Sequence, residues 1–164
     1  MFTAGCCGRI FCSPAAGHLP GAQASACKPS GTEVNVTVTT AIRRQRALAL
    51  LEAIAAGDID HIRALLAPDC CWDIPGFGVY DRETFLASLA NTITLTDHRR
   101  FHNVIVTAED NRVAVAVDGE FRFRDGRDYN NRYHYLFEFS GDRIIRGVEY
   151  MDTALASNLF RGQQ

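Results

Sequence analysis

The sequence predicts an α+β fold in which three N-terminal helices pack in the concave face of a curved, mixed or antiparallel sheet. Two changes of pattern lead to this prediction. From about residue 42 to residue 95 apolar residues recur at helical spacing, whereas after Thr96 they alternate with polar residues at the period of two that is typical of strands. A run of helices followed by an antiparallel meander is the arrangement of an α+β domain.

Local signals set the ends of these elements. Gly57 ends the first helix, Asp58 caps the second, and Pro68 closes the second before the short strand CCWDI. The turn-rich segment PGFGVYD follows, and its Asp81 caps the third helix. Short turn segments then divide four predicted strands, and the segment TALASNLF is predicted to form a final short helix. The strands cover about 98–108, 112–124, 129–139 and 144–151.

Two regions differ in composition. Residues 1–38 are rich in Gly, Ala, Ser, Pro and Cys and show neither the helical nor the strand period, which predicts a disordered N-terminal extension. Residues 39–164 have the apolar content and the length of one compact domain. The sequence therefore predicts a single folded domain behind an extension.

Composition and charge exclude several classes of function. The net charge of -2 arises from acids and bases mixed along the chain, without the basic block that would neutralise phosphates, so we expect no nucleic-acid partner. No apolar run reaches the roughly 18 residues that span a bilayer, so we expect no membrane partner. The cysteines lack zinc spacing, and no phosphate-binding glycine loop is present, which predicts no metal and no cofactor. Reduced thiols and a cytoplasmic location are the corresponding expectation.

The strand VAVAVDGEFRF has two distinct faces. Val113, Val115, Val117 and Phe121 lie on one face, while the other carries two alanines followed by Asp118 and Glu120. The acidic face is either a solvated surface or the wall of a cavity that the small alanines leave open. In the second case the acids point into a pocket, and the valine face forms the contact of a homodimer.

The final hairpin contains an isolated acid, Glu149, between apolar and aromatic neighbours. With a three-residue loop, Tyr133 opposes Glu149 and Asn131 opposes Met151, so that these four side chains line one face of a pocket. With a two-residue loop, His134 opposes Glu149 instead, and an exposed ion pair is the more common outcome. The segment CWDIPGFGVY adds Trp72, Asp73 and Tyr80 near the mouth of the pocket, and His102 is a further candidate that points inward.

The segments PGFGVYDRETFLASL and YNNRYHYLFEFSGDRIIRGVEYMD resemble the SnoaL-like branch of the NTF2-like superfamily, over about Leu48 to Phe160. The resemblance implies a cone-shaped pocket for a small apolar molecule, polyketide-, steroid- or terpenoid-like. It is compatible with a cofactor-independent isomerase, cyclase or hydrolase and with a non-catalytic binding module, because a fold of this kind hosts many functions.

The resemblance also implies residue roles. Glu149 stands where limonene epoxide hydrolase-like members have the acid that activates water, and Asp118 stands at the acid of their Arg-x-Asp motif. Here that motif reads Ala-Val-Asp, and the loss of the Arg disfavours epoxide hydrolysis. Asp73, two residues before a proline, is close to the base of steroid isomerase-like members, and their hydrogen-bond donors fall near Tyr133 and Tyr135. The predicted catalytic set is Glu149, Asp118, Asp73 and Tyr133, and the predicted ligand-binding set is Trp72, Tyr80, His102, Glu120, Asn131 and Met151.

Overall fold

The computed structural model describes residues 32–160 of the chain. In this range four helices and six strands follow one another. Their bounds are α1 (Thr32–Ala56), α2 (Ile59–Leu65), β1 (Leu66–Ile74), β2 (Gly78–Asp81), α3 (Arg82–Leu95), β3 (Thr96–Glu109), β4 (Arg112–Phe123), β5 (Asp128–Ser140), β6 (Arg143–Met151) and α4 (Thr153–Phe160). Most of the predicted extension, residues 1–31, lies outside the described residues, and α1 begins at Thr32, ahead of the predicted boundary at residue 39.

The helix starts that the sequence predicts are present. The carboxylate of Asp58 accepts a hydrogen bond from the backbone N–H of His61 at 2.9 Å, and the carboxylate of Asp81 accepts one from that of Thr84 at 2.7 Å. Each bond satisfies an N–H that has no partner within its own helix. Gly57, at the end of α1, has φ of 76°, a left-handed conformation that glycine adopts without the steric cost of a Cβ.

The strands form one curved, unclosed mixed sheet in the order β2-β1-β6-β5-β4-β3. Most neighbours are antiparallel, but β1 runs parallel to β6, which places the first long strand beside the last. The predicted α+β class is therefore confirmed, with α4 as a fourth helix. Strand β2, which pairs with β1 from Gly78 to Asp81, occupies a segment predicted to be a loop, because its four residues are too few to show a period.

Helix α3 and strand β3 meet at a corner that one side chain fixes. Arg99 donates hydrogen bonds to the backbone oxygens of Ala55, Ile93 and Thr96, at 3.3, 3.2 and 3.0 Å. Carbonyls at the end of a helix have no partner within the helix, and a guanidinium also complements the negative end of the helix dipole. Arg99 thereby joins the C-terminal ends of α1 and α3 and holds α3 over the sheet.

The two faces of β4 are the reverse of the prediction. Val113, Val115, Val117 and Phe121 are buried and belong to the same core as Leu50 of α1, so the valine face is the concave face. A period of two defines two faces but does not say which one the helices cover. The larger apolar face gains more from burial, at roughly 25 cal/mol per Å². These side chains are thus not available for the dimer contact predicted from them, and the homodimer stays a prediction without that support.

A close contact between β1 and β6 determines the position of the core tryptophan. Trp72 is opposite Gly147 in the parallel register and is 1% exposed. Its ring stacks on Phe85 of α3, with 4.1 Å between ring centroids and 14° between planes. A Cβ on residue 147 would overlap the indole ring, so only glycine allows Trp72 to lie flat across β6.

Gly147→Ala is therefore expected to destabilise the protein by about 1–3 kcal/mol, the usual cost of extra volume in a well-packed core. Chemical denaturation followed by circular dichroism measures this change. Arg143→Ala, at the exposed start of the same strand, is the control and should change the free energy of unfolding little. Equal stability of the Gly147→Ala variant and the wild type would contradict the contact.

Candidate functional site

A cavity of about 370 Å³ lies between the concave face of the sheet and α3. Its size is within the range of small-molecule sites, and its walls are mostly apolar. The aromatic side chains among its lining residues come from both layers: Trp72, Phe77, Tyr80, Phe85, Phe101, Phe121, Phe123, Tyr129, Tyr133 and Tyr135. Helix α3 adds the small polar side chains of Ser88, Asn91 and Thr92. The cavity suits a small apolar molecule with few polar groups.

Among the described residues that line this cavity, Glu149 is the one carboxylate. The indole N–H of Trp72 donates a hydrogen bond to Glu149 Oε2 at 2.9 Å, and the hydroxyl of Tyr135 lies 3.5 Å from Oε1. The side chain can be reached from the cavity but is surrounded by protein. Burial raises the pKa of Glu149 to about 7, and the bonds from Trp72 and Tyr135 oppose this rise only in part. The carboxyl group therefore changes its charge near neutral pH.

The hairpin register that delivers Glu149 to the cavity differs from both predicted registers. Tyr135, rather than Tyr133 or His134, is opposite Glu149. Ser140 pairs with Arg143, so the loop has the two residues Gly141 and Asp142. The register then shifts by one residue between Phe139 and Glu138. This bulge inserts one extra residue into β6 and changes every later pair by one position. The pair of His134 and Glu149 is therefore absent, and Met151 lies opposite Tyr133 instead of Asn131.

Three tyrosines of β5 supply hydroxyl groups to the cavity. Tyr133 and Tyr135 stack with 5.5 Å between ring centroids and 9° between planes, and Tyr129 lies further along the same face. Burial raises the pKa of Tyr129 above its usual value, and it raises those of Tyr133 and Tyr135 well above theirs. All three phenols therefore remain neutral hydrogen-bond donors at any physiological pH.

Five predicted site residues line the cavity, namely Trp72, Tyr80, Tyr133, Glu149 and Met151. Asn131 is buried and lines a second pocket rather than this cavity, and its amide donates to the hydroxyl oxygen of Tyr129 at 2.8 Å. Tyr129 also lines the cavity and is not among the residues predicted from the sequence. A signal for it existed, because aromatic residues recur at every second position along most of β5, and this regularity marks one continuous buried face.

Three predicted residues lie on the opposite side of the sheet, where the prediction was wrong. Asp118, Glu120 and His102 share the outer face and line a separate shallow pocket. Asp118 accepts a hydrogen bond from Asn103 at 2.8 Å, and Nε2 of His102 lies 3.6 Å from Oε1 of Glu120. Because the valine face of β4 turns inward, the acids that alternate with the valines must turn outward.

Asp73 is also outside the cavity. It follows Trp72 on β1, and since Trp72 points inward, the next side chain points outward. There the guanidinium of Arg146 lies 3.5 Å from Asp73 and 3.1 Å from Glu138. The predicted pair of acids sharing one apolar pocket is therefore absent, since Glu149 is the one carboxylate among the described residues that line the cavity.

Comparison with known proteins agrees with this fold. The sequence model of the SnoaL-like domain family matches residues 47–147, more than half of the chain. The α+β fold is of the NTF2-like type. The chain belongs to the SnoaL-like family. A search of the curated proteins returns no match.

Similar solved structures include proteins with different chemistry. BvnE pinacolase from Penicillium brevicompactum is 12% identical, with a TM-score of 0.68 over 76% of this chain and 96% of that protein. An LEH-like epoxide hydrolase from M. tuberculosis is 18% identical, with a TM-score of 0.64 over 75% and 92%. A candidate polyketide cyclase from Xanthomonas campestris pv. campestris is 22% identical, with a TM-score of 0.62 over 71% and 94%. At these identities the likeness shows the fold alone.

Among the described residues, no helix combines the length and the apolar character needed to cross a membrane.

The ionisation of Glu149 is expected to be visible in the fluorescence of Trp72, which is the single tryptophan of the chain. Because the indole N–H contacts the carboxylate at 2.9 Å, the new charge changes the electrostatic field at the ring. A pH titration should therefore show a transition with a midpoint of about 7. The transition should vanish in Glu149→Gln, and its persistence there would assign it to another group.

Glu149 should also impose a pH dependence on stability. Its pKa is about 7 in the folded chain and near the ordinary 4.5 in the unfolded chain, so between these values the folded state holds a proton that the unfolded state has lost. Folding becomes less favourable as the pH rises through this range. The cost is absent below about pH 4.5 and reaches about 3 kcal/mol above pH 7, as an order of magnitude.

Glu149→Gln removes this cost, so its stability gain over the wild type should grow from near zero at pH 4.5 to its full value at pH 8. Denaturation curves at several pH values measure the gain. Glu138→Gln is the matched control, because Glu138 lies on the outer face beside Arg146. Parallel stability curves for the wild type and Glu149→Gln would contradict the raised pKa.

Proposed function

We propose that the cavity binds a small, largely apolar molecule that carries a carbonyl group, and that Glu149 removes a proton from this molecule and returns it. The observation that carries the proposal is the position of Glu149, whose carboxyl group lies in an aromatic cavity and has a pKa of about 7. A general acid or base is most effective when its pKa is close to the working pH. Strongly shifted groups inside a cavity are also typical of active sites.

The proposed step is the removal of a proton from a carbon atom next to the carbonyl group. The C–H bond breaks, Glu149 takes the proton, and the electron pair moves to the carbonyl oxygen as an enolate. A neutral phenol of β5 stabilises the developing charge by donating a hydrogen bond. Return of the proton from Glu149 to the same or another carbon completes an isomerisation. Where the enolate carbon instead forms a bond to a second carbonyl carbon and closes a ring, Glu149 returns the proton to the alkoxide oxygen that results.

Hydrolysis of an epoxide is less well supported by the geometry. Asp118, the acid at the position of the Arg-x-Asp motif, lies on the outer face, and Ala116 replaces the Arg. Glu149 therefore has no second acid in the described part of the cavity with which to share the protonation of an epoxide oxygen. A single base together with phenol donors is instead suited to the removal of a proton from a carbon atom next to a carbonyl group.

A binding module without chemistry is the second candidate. The observation in its favour is that both oxygens of Glu149 already have neighbours, with Trp72 at 2.9 Å and Tyr135 at 3.5 Å. In that case the carboxyl group orients the ligand and the tryptophan. The two candidates differ in one measurable property, the exchange of hydrogen on a bound ketone.

The exchange of α-hydrogen for deuterium in 2-tetralone, followed by mass spectrometry in D₂O, tests the proposal. The wild type should accelerate exchange over the uncatalysed rate, and Glu149→Gln should lose about 10²–10⁴-fold, the usual contribution of a general base. The rate should rise with pH through about 7, because only the ionised carboxylate accepts the proton.

Glu138→Gln is the control, since it makes the same change of atoms on the outer face and should keep the exchange rate. Full activity in Glu149→Gln would disprove the role of this residue. Binding of 2-tetralone without accelerated exchange in the wild type would favour the binding module.

A further inference from the structure

Asn131 uses all of its side-chain hydrogen-bonding capacity within the protein. Its amide oxygen accepts from the backbone N–H groups of Arg132 at 2.8 Å and Asp152 at 3.1 Å. These two donors identify the oxygen and therefore fix the orientation of the amide group. Its nitrogen donates to the backbone oxygen of Asp152 at 3.2 Å and to the hydroxyl oxygen of Tyr129 at 2.8 Å. In this last bond Tyr129 can only be the acceptor.

The hydroxyl proton of Tyr129 is therefore directed away from Asn131. The hydroxyl contacts the sulfur of Met151, which lies 3.5 Å from the hydroxyl oxygen. A thioether is a weak acceptor, so this contact replaces little of the hydrogen bond that a buried hydroxyl would make with water. Tyr129 lines the cavity and is 8% exposed, so a molecule in the cavity is in a position to supply the missing acceptor.

The other two phenols of the cavity differ in this respect. The hydroxyl of Tyr135 is directed to Glu149. Tyr133 stacks on Tyr135, and the amide of Asn131 donates to Tyr129 rather than to Tyr133. Tyr129 thus accepts a hydrogen bond from Asn131, which polarises its O–H bond and makes it the stronger donor.

We propose that Tyr129 is the residue that donates the hydrogen bond to the oxygen of the bound molecule, with Asn131 as the group that orients its proton toward the cavity. The inference rests on the proposed function, because it assumes that the cavity binds a molecule with an acceptor oxygen. It replaces the donor role predicted for Tyr133 and assigns to Asn131 a positioning role instead of a ligand contact. The site then selects ketones over hydrocarbons of the same shape.

A pair of matched probes tests this assignment. 2-Acetylnaphthalene carries an acceptor oxygen and no donor, and 2-ethylnaphthalene has a similar shape without the oxygen. Their affinities are measured by the quenching of Trp72 fluorescence. The wild type should prefer the ketone, and Tyr129→Phe should reduce this preference about tenfold while leaving the affinity for the hydrocarbon unchanged.

Tyr150→Phe is the control, because it makes the same change of atoms outside the cavity. Tyr150 is 50% exposed and is not one of the lining residues, so this variant should keep the preference for the ketone. A second measurement does not depend on the folding of any variant. The infrared C=O stretch of the ketone bound to the wild type should lie at lower frequency than in a hydrocarbon solvent, because a donor lengthens the bond.

The outcomes separate the inference from the proposed function. If the preference for the ketone survives in Tyr129→Phe, the assignment to Tyr129 is wrong. Loss of the preference in Tyr133→Phe instead would assign the donor role to Tyr133. An unshifted C=O stretch of the bound ketone also overturns the assignment to Tyr129. Failure of both probes to bind the wild type counts against the proposed function itself, and with it against the inference.

Discussion

The hydrogen bond from Trp72 to Glu149 is the interaction on which the candidate site depends. It joins β1 to β6 across 77 residues of sequence, and it requires both the parallel pairing of these strands and the absence of a side chain at Gly147. Phe85 of α3 packs on the opposite face of the indole, so the same ring also holds the helix layer against the sheet. One side chain therefore connects the core, the cavity wall and the acid.

This arrangement combines stability with a reactive group. Most of the cavity wall is aromatic and belongs to the same core that stabilises the fold, so a ligand here is surrounded by rigid side chains. The carboxyl group of Glu149 is the exception, because its burial destabilises the charged form. The two donors beside it compensate only in part, which leaves its pKa near neutrality. The site thus has the property that acid–base chemistry needs, at the expense of part of the stability of the folded state.

The outer face of the sheet shows what the same residue types do without burial. Asp118 has Asn103 and Arg132 beside it, and Asp73 has Arg146. Ion pairs between partly exposed acids and such neighbours contribute only modestly to stability. What distinguishes Glu149 from these acids is therefore its burial in the cavity and not the carboxyl group itself.

The sequence by itself determined the fold class, the caps at Asp58 and Asp81, the strand periods and the choice of Glu149 as a candidate that lines the cavity, because each of these depends on local spacing or on an isolated polar residue in an apolar strand. Only the tertiary structure decided which face of β4 the helices cover, since a period of two is the same for both faces. It also decided the partner of Glu149, because a one-residue bulge beside Glu138 shifts the register and leaves no mark in the pattern. The contact of Trp72 with Glu149 arises from strand pairing between distant segments, and no local spacing encodes it.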